Sequence, residues 1–435
     1  MNMRVVLIGA GSRVFTRRLV SDLTRYFQNE VEFNLVDIDS NKLPLAQKLA
    51  LRIREEAHCQ PAVQAFTELE PALNAADYVI NSVNVGGRAA WTQDFEIPAR
   101  YGVRQTVADT LGIGGIMRGL RTIPEVVRIC QQIERRAPHA ILLNYTNPMA
   151  MVMMAVYRTS GLTAFGLCHS IPATVHQLAQ YLEINADEIE WQAAGINHQA
   201  WFIQLTHHGR DLYPALRRRF PMVYDQDPTR FELMRKFGYF PSESSPHSAE
   251  YVNYFLPHEQ WINRLHLVPR DFLDHTPTLA AIETLVEQSE PVYLPNLSIE
   301  YAPQMIHSRE TGKLRVMAIN VINTGLISNL PRSAVVEIPA VVHGHHTWPT
   351  HVGALPEALA ALNRQGIAVQ ELTVQAVLEQ NREAVYEAAF LDPNLSTTLD
   401  LDQIVHLVND LLEAHAAYLP PLAASWSVSL PLAPS

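Results

Sequence analysis

The strongest constraint on the fold is a regular alternation of short apolar runs with longer helix-period segments over the first 170 or so residues. Short apolar runs, typical of buried strands, occupy residues 4–8, 31–36, 78–84, 140–143 and 164–167. Helical periodicity covers residues 14–27, 42–58 and 116–137. Because strands that alternate with helices build parallel sheets, residues 1–187 are predicted to form an α/β domain with a Rossmann-type, mostly parallel sheet and helices on both faces.

The pattern changes after residue 188. Four strands and then a helical segment are predicted at residues 190–196, 201–206, 314–322, 335–342 and 356–417. Residues 188–418 are therefore predicted to form a mixed α+β lobe for substrate binding and oligomer formation. The predicted architecture resembles that of lactate and malate dehydrogenases. Residues 419–435 are rich in Pro, Ala and Ser and are predicted to be a loosely held tail.

Charge and cysteine content exclude several classes of protein. A formal net charge of −11 argues against nucleic acid or an anionic membrane as a partner, because both require a basic surface. Three cysteines in so long a chain do not form the disulfide framework of a small secreted domain. The first apolar run leads straight into a glycine turn without a cleavage site, and no run reaches the length of a membrane span. The expected compartment is the cytoplasm.

A short glycine turn follows the first predicted strand. Gly9-Ala10-Gly11-Ser12 lies where a dinucleotide-binding turn belongs, directly before a helix. Glycines there let backbone N–H groups approach a pyrophosphate, and the helix N-terminus adds partial positive charge. Val14 takes the place of the third glycine of the usual fingerprint, so the pair alone also fits an ordinary strand-to-helix turn. We predict that Gly9, Gly11 and Ser12 bind a cofactor.

An acid at the end of the second predicted strand supports this interpretation. Asp37 lies where a carboxylate accepts a hydrogen bond from the adenosine ribose 2′-hydroxyl. A carboxylate there would repel a 2′-phosphate, which favours NAD over NADP. Asp39 also fits a helix-capping acid. Asn84, at the end of the third predicted strand, completes the predicted cofactor contacts.

Reactive side chains gather in four segments, at residues 105–112, 144–149, 166–170 and 195–198. Ligands of open α/β sheets bind at the carboxyl ends of the strands, where Asn147, Cys168 and His169 are expected. Cys168 alone fits a small buried apolar side chain. Together with His198, thirty residues later, it also fits a pair of ligands for a divalent transition metal that leaves positions open for a substrate. The residues alone leave both interpretations open.

Two further polar segments are less informative. The histidines of the segment 343–346 fit a solvated surface loop. Residues 242–251 are dense in acid–base groups, and they also fit the capped start of an amphipathic helix.

Taken together, these segments are similar to those of the NAD- and metal-dependent glycosidases of glycoside hydrolase family 4, most closely its α-galactosidase (melibiase) branch. The similarity extends over nearly the whole chain and is carried by residues 8–12, 108–112, 114–118, 120–124, 143–151, 166–170, 194–198, 238–240, 243–245, 249–251 and 325–331. The loop at 343–346 and the Pro-rich tail depart from the family pattern, and nothing is transferred to them.

The resemblance implies the metal and substrate contacts. Cys168 and His198 correspond to the ligands of a Mn²⁺-type ion. Asn147 corresponds to a contact with the sugar hydroxyls. Asp109 corresponds to a catalytic-site carboxylate that contacts the substrate or supports a residue that does.

The resemblance also implies the acid and the base. His169 stands where other branches of the family carry an aspartate, and it corresponds to the general acid. Tyr251 corresponds to the base that removes the sugar C2 proton, with Glu243 and Glu250 as alternatives. A Cys-His pair instead of Cys-Asp points away from the branches that act on 6-phosphosugars.

The implied activity is hydrolysis of an α-galactoside through a transient oxidation. NAD⁺ accepts a hydride from sugar C3, the C2 proton is removed, the aglycone is eliminated, water adds, and the hydride returns to C3. This chemistry replaces the pair of carboxylates that most glycosidases use. The resemblance further implies a homo-oligomer, either a dimer or a tetramer.

Three alternatives stay open. The enzyme could be an α-galacturonidase or α-glucosidase of the same family, and a uronate would need a cationic clamp such as Arg88, Arg118 or Arg121. A simple NAD-dependent 2-hydroxy-acid dehydrogenase would accumulate NADH, but it has no evident use for a Cys-His metal pair. A catalytically silent NAD-binding sensor would be expected to have lost the candidate ligands, which are all present.

Overall fold

The computed structural model describes residues 2–267 and 279–423, and within them twelve strands form one sheet. Strands β1–β12 span Met3–Ile8, Val31–Val36, Ala62–Phe66, Tyr78–Asn81, Ile141–Asn144, Ala164–Gly166, Ile189–Ile196, Gln199–His207, Arg210–Asp211, Arg315–Ile322, Val335–His343 and His346–Pro349. The order across the sheet is β3-β2-β1-β4-β5-β6-β10-β11-β7-β8-β9, with β12 paired to β11.

The first six strands pair in parallel, in the order of a dinucleotide-binding sheet. All four residues of β4 and of β5 are buried, as expected for strands covered on both faces. The predicted Rossmann-type sheet is therefore confirmed. Strand β3 was missing from the prediction because it is only partly buried and so lacks a continuous apolar run.

Helices connect and cover these strands. Helices α1–α11 span Arg13–Phe27, Lys42–Glu56, Leu69–Ala72, Gly87–Arg100, Gly112–Arg136, Met149–Thr159, Ser170–Leu182, Tyr213–Val223, Pro228–Phe237, Ser245–Glu250 and Glu259–Leu265. Helices α12–α17 span Leu279–Glu287, Tyr301–Thr311, Glu357–Leu378, Glu383–Leu391, Pro393–Thr398 and Leu401–Ala414. The helical segment predicted at 356–417 is thus four helices separated by short breaks.

The second half of the chain continues the same sheet with antiparallel strands, which confirms the predicted mixed lobe. Strand β10 pairs with β6 at Asn320↔Gly166, and β11 pairs with β7 at Glu337↔Gly195. Strands β10 and β11 pair along their whole length. The long hairpin therefore joins the parallel part of the sheet to the β7–β8 hairpin.

Helix α6 lies at the centre of the core. Residues 149–156 are all buried, and the helix packs against α5, α14 and strands β6, β10 and β11. Burying one such Met or Val side chain contributes about 1.5–3 kcal/mol. Because α6 is surrounded on so many sides, the residues just before it have a fixed position.

The described part of the tail is attached to the protein. Ala423 forms a parallel bridge with Asn381, and its carbonyl accepts a hydrogen bond from the Arg382 N–H. Residues 424–435 of the predicted tail lie outside the described residues. Within residues 2–267 and 279–423, none of the helices combines the length and apolar character that a membrane span requires.

Candidate active site

The predicted cofactor turn, which follows β1, packs closely against residues that follow β2 and β4. Gly9 has φ +80°, and a Cβ there would lie 2.7 Å from the Ser82 carbonyl oxygen. A Cβ on Gly11 would lie 2.7 Å from Asp37 Oδ2. Ser12 caps α1, and its hydroxyl accepts a hydrogen bond from the Phe15 N–H at 3.4 Å. Both glycines are thus required by space, and Gly9 also by its backbone conformation.

The acid predicted to contact the ribose lies beside this turn. Asp37 Oδ2 accepts a hydrogen bond from the Gly11 N–H at 2.7 Å, and Oδ1 accepts one from the Asp39 N–H at 2.9 Å. The strand predicted at 78–84 ends at Asn81, so Asn84 lies in the exposed β4–α4 loop. The predicted strand was too long because the chain turns towards α4 soon after Asn81, with Gly86 in the left-handed conformation directly before the helix.

A compact set of metal-binding side chains lies where β6 and β7 end. The ligand atoms of Cys168, His198 and Glu243 all lie within 4.8 Å of one another. Cys168 follows β6, and His198 occupies the tight β7–β8 turn with φ +64°. His198 Nε2 lies 3.5 Å from Glu243 Oε2. A thiol, an imidazole and a carboxylate form a donor set that suits a divalent transition metal and leaves positions open.

Burial and neighbouring charges set the protonation of these three groups. Burial raises the pKa of the Cys168 thiol, with Glu337 and Glu243 adding to the effect. Burial lowers the pKa of His198 to about 4. Burial alone would raise the pKa of Glu243, but the imidazoles of His247 and His198 lower it to about 2. A neutral imidazole and an ionised carboxylate are ready to bind a cation, which would displace the thiol proton.

The hydroxyl of Tyr251 lies on the other side of the same imidazole. His198 Nδ1 is 3.0 Å from Tyr251 Oη and 3.1 Å from Thr110 Oγ1. His247 Nδ1 lies 3.2 Å from the same Tyr251 oxygen. Burial raises the pKa of Tyr251 well above its usual value, so its hydroxyl is protonated in the absence of added positive charge.

The carboxylate of Asp109 joins this network to Asn147. Its Oδ1 accepts a hydrogen bond from the Thr110 hydroxyl at 2.7 Å, and its Oδ2 accepts one from Asn147 Nδ2 at 3.3 Å. The ligand atoms of Asp109, His198 and His247 also lie within 4.8 Å of one another. Asn147 Oδ1 is buried without a hydrogen-bond partner among the described residues, so this acceptor is available to a ligand.

The two remaining candidates differ in their surroundings. His169 is exposed and precedes α7, with its ring centroid 6.5 Å from that of Phe15. Glu250 is buried, and its Oε1 accepts hydrogen bonds from the N–H groups of Thr106, Val107 and Ala108 at 2.5, 2.8 and 3.0 Å. This carboxyl therefore supports the backbone that leads to Asp109, which argues against a role as the base.

His247 and Thr110 belong to the cluster but were not predicted. A usable signal existed for His247. Glu243, His247 and Tyr251 recur at four-residue spacing, which places side chains on one face of a helix, and α10 covers most of this stretch. Glu250 does not fit that spacing. Thr110 carried no comparable signal, because its role depends on a neighbour 88 residues away.

Together, the dinucleotide-type sheet, the tight glycine turn and the Cys-His-carboxylate cluster define an α/β enzyme fold with candidate cofactor and metal sites. The model of the family 4 glycosyl hydrolases matches residues 4–184, and the model of their C-terminal domain matches residues 193–395. The chain belongs to family 4 of the glycosyl hydrolases.

Individual relatives match over nearly full length. An α-galactosidase of Bacillus subtilis is 40% identical over 431 residues, covering 96% of this chain and 99% of that protein. An α-galactosidase of Rhizobium meliloti is 32% identical, covering 97% and 90%. The fold is similar to that of the 6-phospho-β-glucosidase of Thermotoga maritima solved with manganese, NAD⁺ and glucose-6-phosphate, with a TM-score of 0.81, 21% identity, and coverage of 97% and 100%.

Proposed function

We propose that this enzyme is an α-galactosidase that requires NAD⁺ and a divalent metal ion such as Mn²⁺. The observation that carries the proposal is the trio of buried Cys168, buried His198 and half-buried Glu243, whose ligand atoms lie within 4.8 Å of one another. The tight turn at Gly9 and Gly11, with Asp37 beside it, supports a dinucleotide at the same sheet. The α-galactosidases at 40% and 32% identity support the choice of sugar.

Each cofactor would be held by a distinct set of side chains. Cys168 and His198 would hold the ion, with Glu243 as a third ligand that the structure adds to the sequence prediction. Gly9, Gly11, Ser12, Asp37 and Asn84 would hold the dinucleotide. When bound, NAD⁺ accepts and returns a hydride at sugar C3 and the ion acts as a Lewis acid, which together acidify the neighbouring C2–H.

The acid–base work would then fall to the protein. Tyr251 would remove the C2 proton. With Nε2, the atom that faces Glu243, bound to the ion, the ring proton of His198 would lie on Nδ1, 3.0 Å from Tyr251 Oη, where it would stabilise the phenolate. His169, on the exposed side of the cluster, would protonate the departing glycosidic oxygen. Asn147 Oδ1 would accept a hydrogen bond from a sugar hydroxyl.

The proposal is tested with p-nitrophenyl α-galactoside, α-glucoside and α-galacturonide under reducing conditions. Release of nitrophenol from the galactoside that depends on added NAD⁺ and Mn²⁺ is the expected result, and NADP⁺ should replace NAD⁺ poorly. Substrate deuterated at C2 should lose label to water. Accumulation of NADH would instead identify a dehydrogenase, and full retention of the C2 label would exclude elimination.

The organisation of the protein beyond the site is also a proposal. We retain the division at residues 1–187, 188–418 and 419–435, a cytoplasmic location, which the three free cysteines support, and a homo-oligomer. Val316, Val341 and Trp348 are neighbours across β10, β11 and β12, and 54% of Val316 and 50% of Trp348 are exposed. Such an apolar row on a sheet supports association of identical subunits.

A further inference from the structure

One buried cation close to the candidate site has two side-chain nitrogens without a hydrogen-bond acceptor among the described residues. Arg118 lies on α5 and is only 8% exposed. Its Nε and Nη1 atoms are buried without a hydrogen-bond partner among the described residues, and none of its nitrogens lies within 4.0 Å of a carboxylate oxygen there. A buried guanidinium without acceptors is costly, so a ligand that supplies them would be bound strongly.

The other arginines considered as a clamp are placed differently. Arg121 is committed to Asp94, whose two carboxylate oxygens accept hydrogen bonds from its Nη1 and Nη2 at 3.2 and 2.6 Å. Arg121 Nε also donates to the Val85 carbonyl at 3.1 Å. Arg88 is exposed. Arg118 is therefore the arginine of this group whose donors face inward and are available.

Two glycines let the segment that carries Asp109 pack against the helix that carries Arg118. A Cβ on Gly114 would lie 2.6 Å from the Ala108 Cβ, and a Cβ on Gly115 would lie 2.6 Å from the Thr110 carbonyl carbon. The segment before α5 can therefore fold back against the first turn of the helix. Burial lowers the pKa of Arg118, and the nearby Asp109 carboxylate opposes this effect.

A ring system fixes the guanidinium in its place. The Arg118 Cζ lies 5.1 Å from the centroid of the Trp91 ring, a geometry that stabilises a cation. The Trp91 indole N–H donates to the Val107 carbonyl at 3.0 Å, which ties the ring to the same segment that carries Asp109. The cation is thus held by stacking, while its Nε and Nη1 donors have no acceptor among the described residues.

We propose that Arg118 and Asp109 together bind two neighbouring hydroxyl groups of the uncharged glycone, with Arg118 donating to hydroxyl oxygens and Asp109 accepting from hydroxyl hydrogens. This inference rests on the proposed function and deepens it. A hydroxyl is both donor and acceptor, so a vicinal pair matches one cation and one anion. The pair carries no net charge, and Asp109 and the ionised Glu243 both lie beside the same imidazole, that of His198. The site therefore selects a neutral sugar over a uronate, whose carboxylate the ionised Asp109 and Glu243 would repel.

The test measures galactose and galacturonate binding by calorimetry with NAD⁺ and Mn²⁺ present, alongside kcat and KM on p-nitrophenyl α-galactoside. Arg118→Gln should weaken galactose binding about 10- to 100-fold, the usual effect of losing hydrogen bonds to a charged group. The galactose affinity of Arg118→Lys should lie between those of the wild type and Arg118→Gln, since lysine keeps the charge but lacks the planar set of donors. Arg128→Met, a matched change of an exposed arginine on the same helix, should bind galactose as the wild type does.

A double variant isolates the pairing. If Arg118 and Asp109 bind the same hydroxyl pair, the losses in galactose affinity for Arg118→Gln and Asp109→Asn should be clearly less than additive. The Kd for NAD⁺, from quenching of tryptophan fluorescence, should stay unchanged in Arg118→Gln. Far-UV circular dichroism checks folding, and Arg118→Lys replaces the Gln variant if that variant does not fold.

Several outcomes would overturn the inference. Galactose binding by Arg118→Gln equal to that of an active wild type would remove Arg118 from the sugar site, and a weaker NAD⁺ affinity alone would assign Arg118 to the dinucleotide. Tighter binding of galacturonate than of galactose would reject the neutral glycone. A wild type that neither binds nor hydrolyses galactosides would overturn the proposed function itself, and this inference with it.

Discussion

The role of Glu250 can be separated from that of Tyr251 by two substitutions of one side chain. Glu250 was an alternative for the C2 base, but its Oε1 accepts hydrogen bonds from three successive backbone N–H groups, at residues 106–108. Burial raises the pKa of Glu250 to about 7, so a neutral side chain is tolerated there. Glu250→Gln keeps an acceptor oxygen, whereas Glu250→Ala removes it.

The structure gives the size of the difference. Thr106, Val107 and Ala108 are each at most 1% exposed, so water does not replace the lost acceptor easily. An unsatisfied buried donor costs about 1–3 kcal/mol, so three of them cost roughly 3–6 kcal/mol when part of the loss is relieved by relaxation. Glu250→Ala should therefore lower the free energy of unfolding by this amount, and Glu250→Gln should change it by less than about 1 kcal/mol.

Urea unfolding followed by fluorescence measures the stability, and loss of deuterium from C2 of the substrate measures the base. Glu250→Gln should still exchange the C2 label, whereas Tyr251→Phe should not. A Glu250→Gln enzyme that is as stable as the wild type but does not exchange would make Glu250 the base. An alanine variant with unchanged stability would show that the three N–H groups do not need this carboxyl.

Two further predictions address the metal site and its surroundings. Cys168→Ser should lower metal-dependent turnover at least ~100-fold and lower the amount of Mn²⁺ that stays bound after dialysis, since it removes a ligand. Full turnover of this variant in the presence of chelator would refute the metal role. Burial raises the pKa of Glu337 to about 8 from an ordinary value near 4.5, so the folded state keeps a proton that the unfolded state releases. With the metal removed by chelator, the stability of the wild type should therefore fall relative to that of Glu337→Gln as pH rises from 5 to 8.5. Urea midpoints of the two proteins that change in parallel over that range would contradict this prediction.

Much of the fold was predictable because its strands are locally recognisable. Strands β1, β2 and β6 lie within a residue or two of the predicted runs, since each is apolar and ends at or just before a glycine or an acid. Strand β3 was not predicted, because its position at the edge of the sheet leaves alternate residues exposed. The turn at Gly9 could be recognised because its physical requirement, space for close contacts with the backbone, places glycine at two positions, Gly9 and Gly11, directly after the strand.

Individual residues of the candidate site could be predicted from the sequence, but the way they come together could not. Asn147 and Cys168 were expected at strand ends, and they lie there. Glu243, the third side chain of the proposed metal cluster, was considered only as a base, because no local sequence pattern brings it close to Cys168. His247 was overlooked although its spacing to Tyr251 is regular, since α10 is too short to display helical periodicity.

The proximity of Cys168 and His198 has a cause that no local pattern contains. It depends on the β10–β11 hairpin, which pairs Asn320 with Gly166 and Glu337 with Gly195 and so joins the segment before each ligand. The Glu337 carboxyl then accepts hydrogen bonds from Asn320 at 3.1 Å and from Asn197, next to His198, at 3.4 Å. Residues more than a hundred positions downstream thereby set the distance between the two ligands. Spacing alone left Cys168 with two interpretations because the order of strands in the sheet, rather than the thirty residues between Cys168 and His198, creates the proposed metal site.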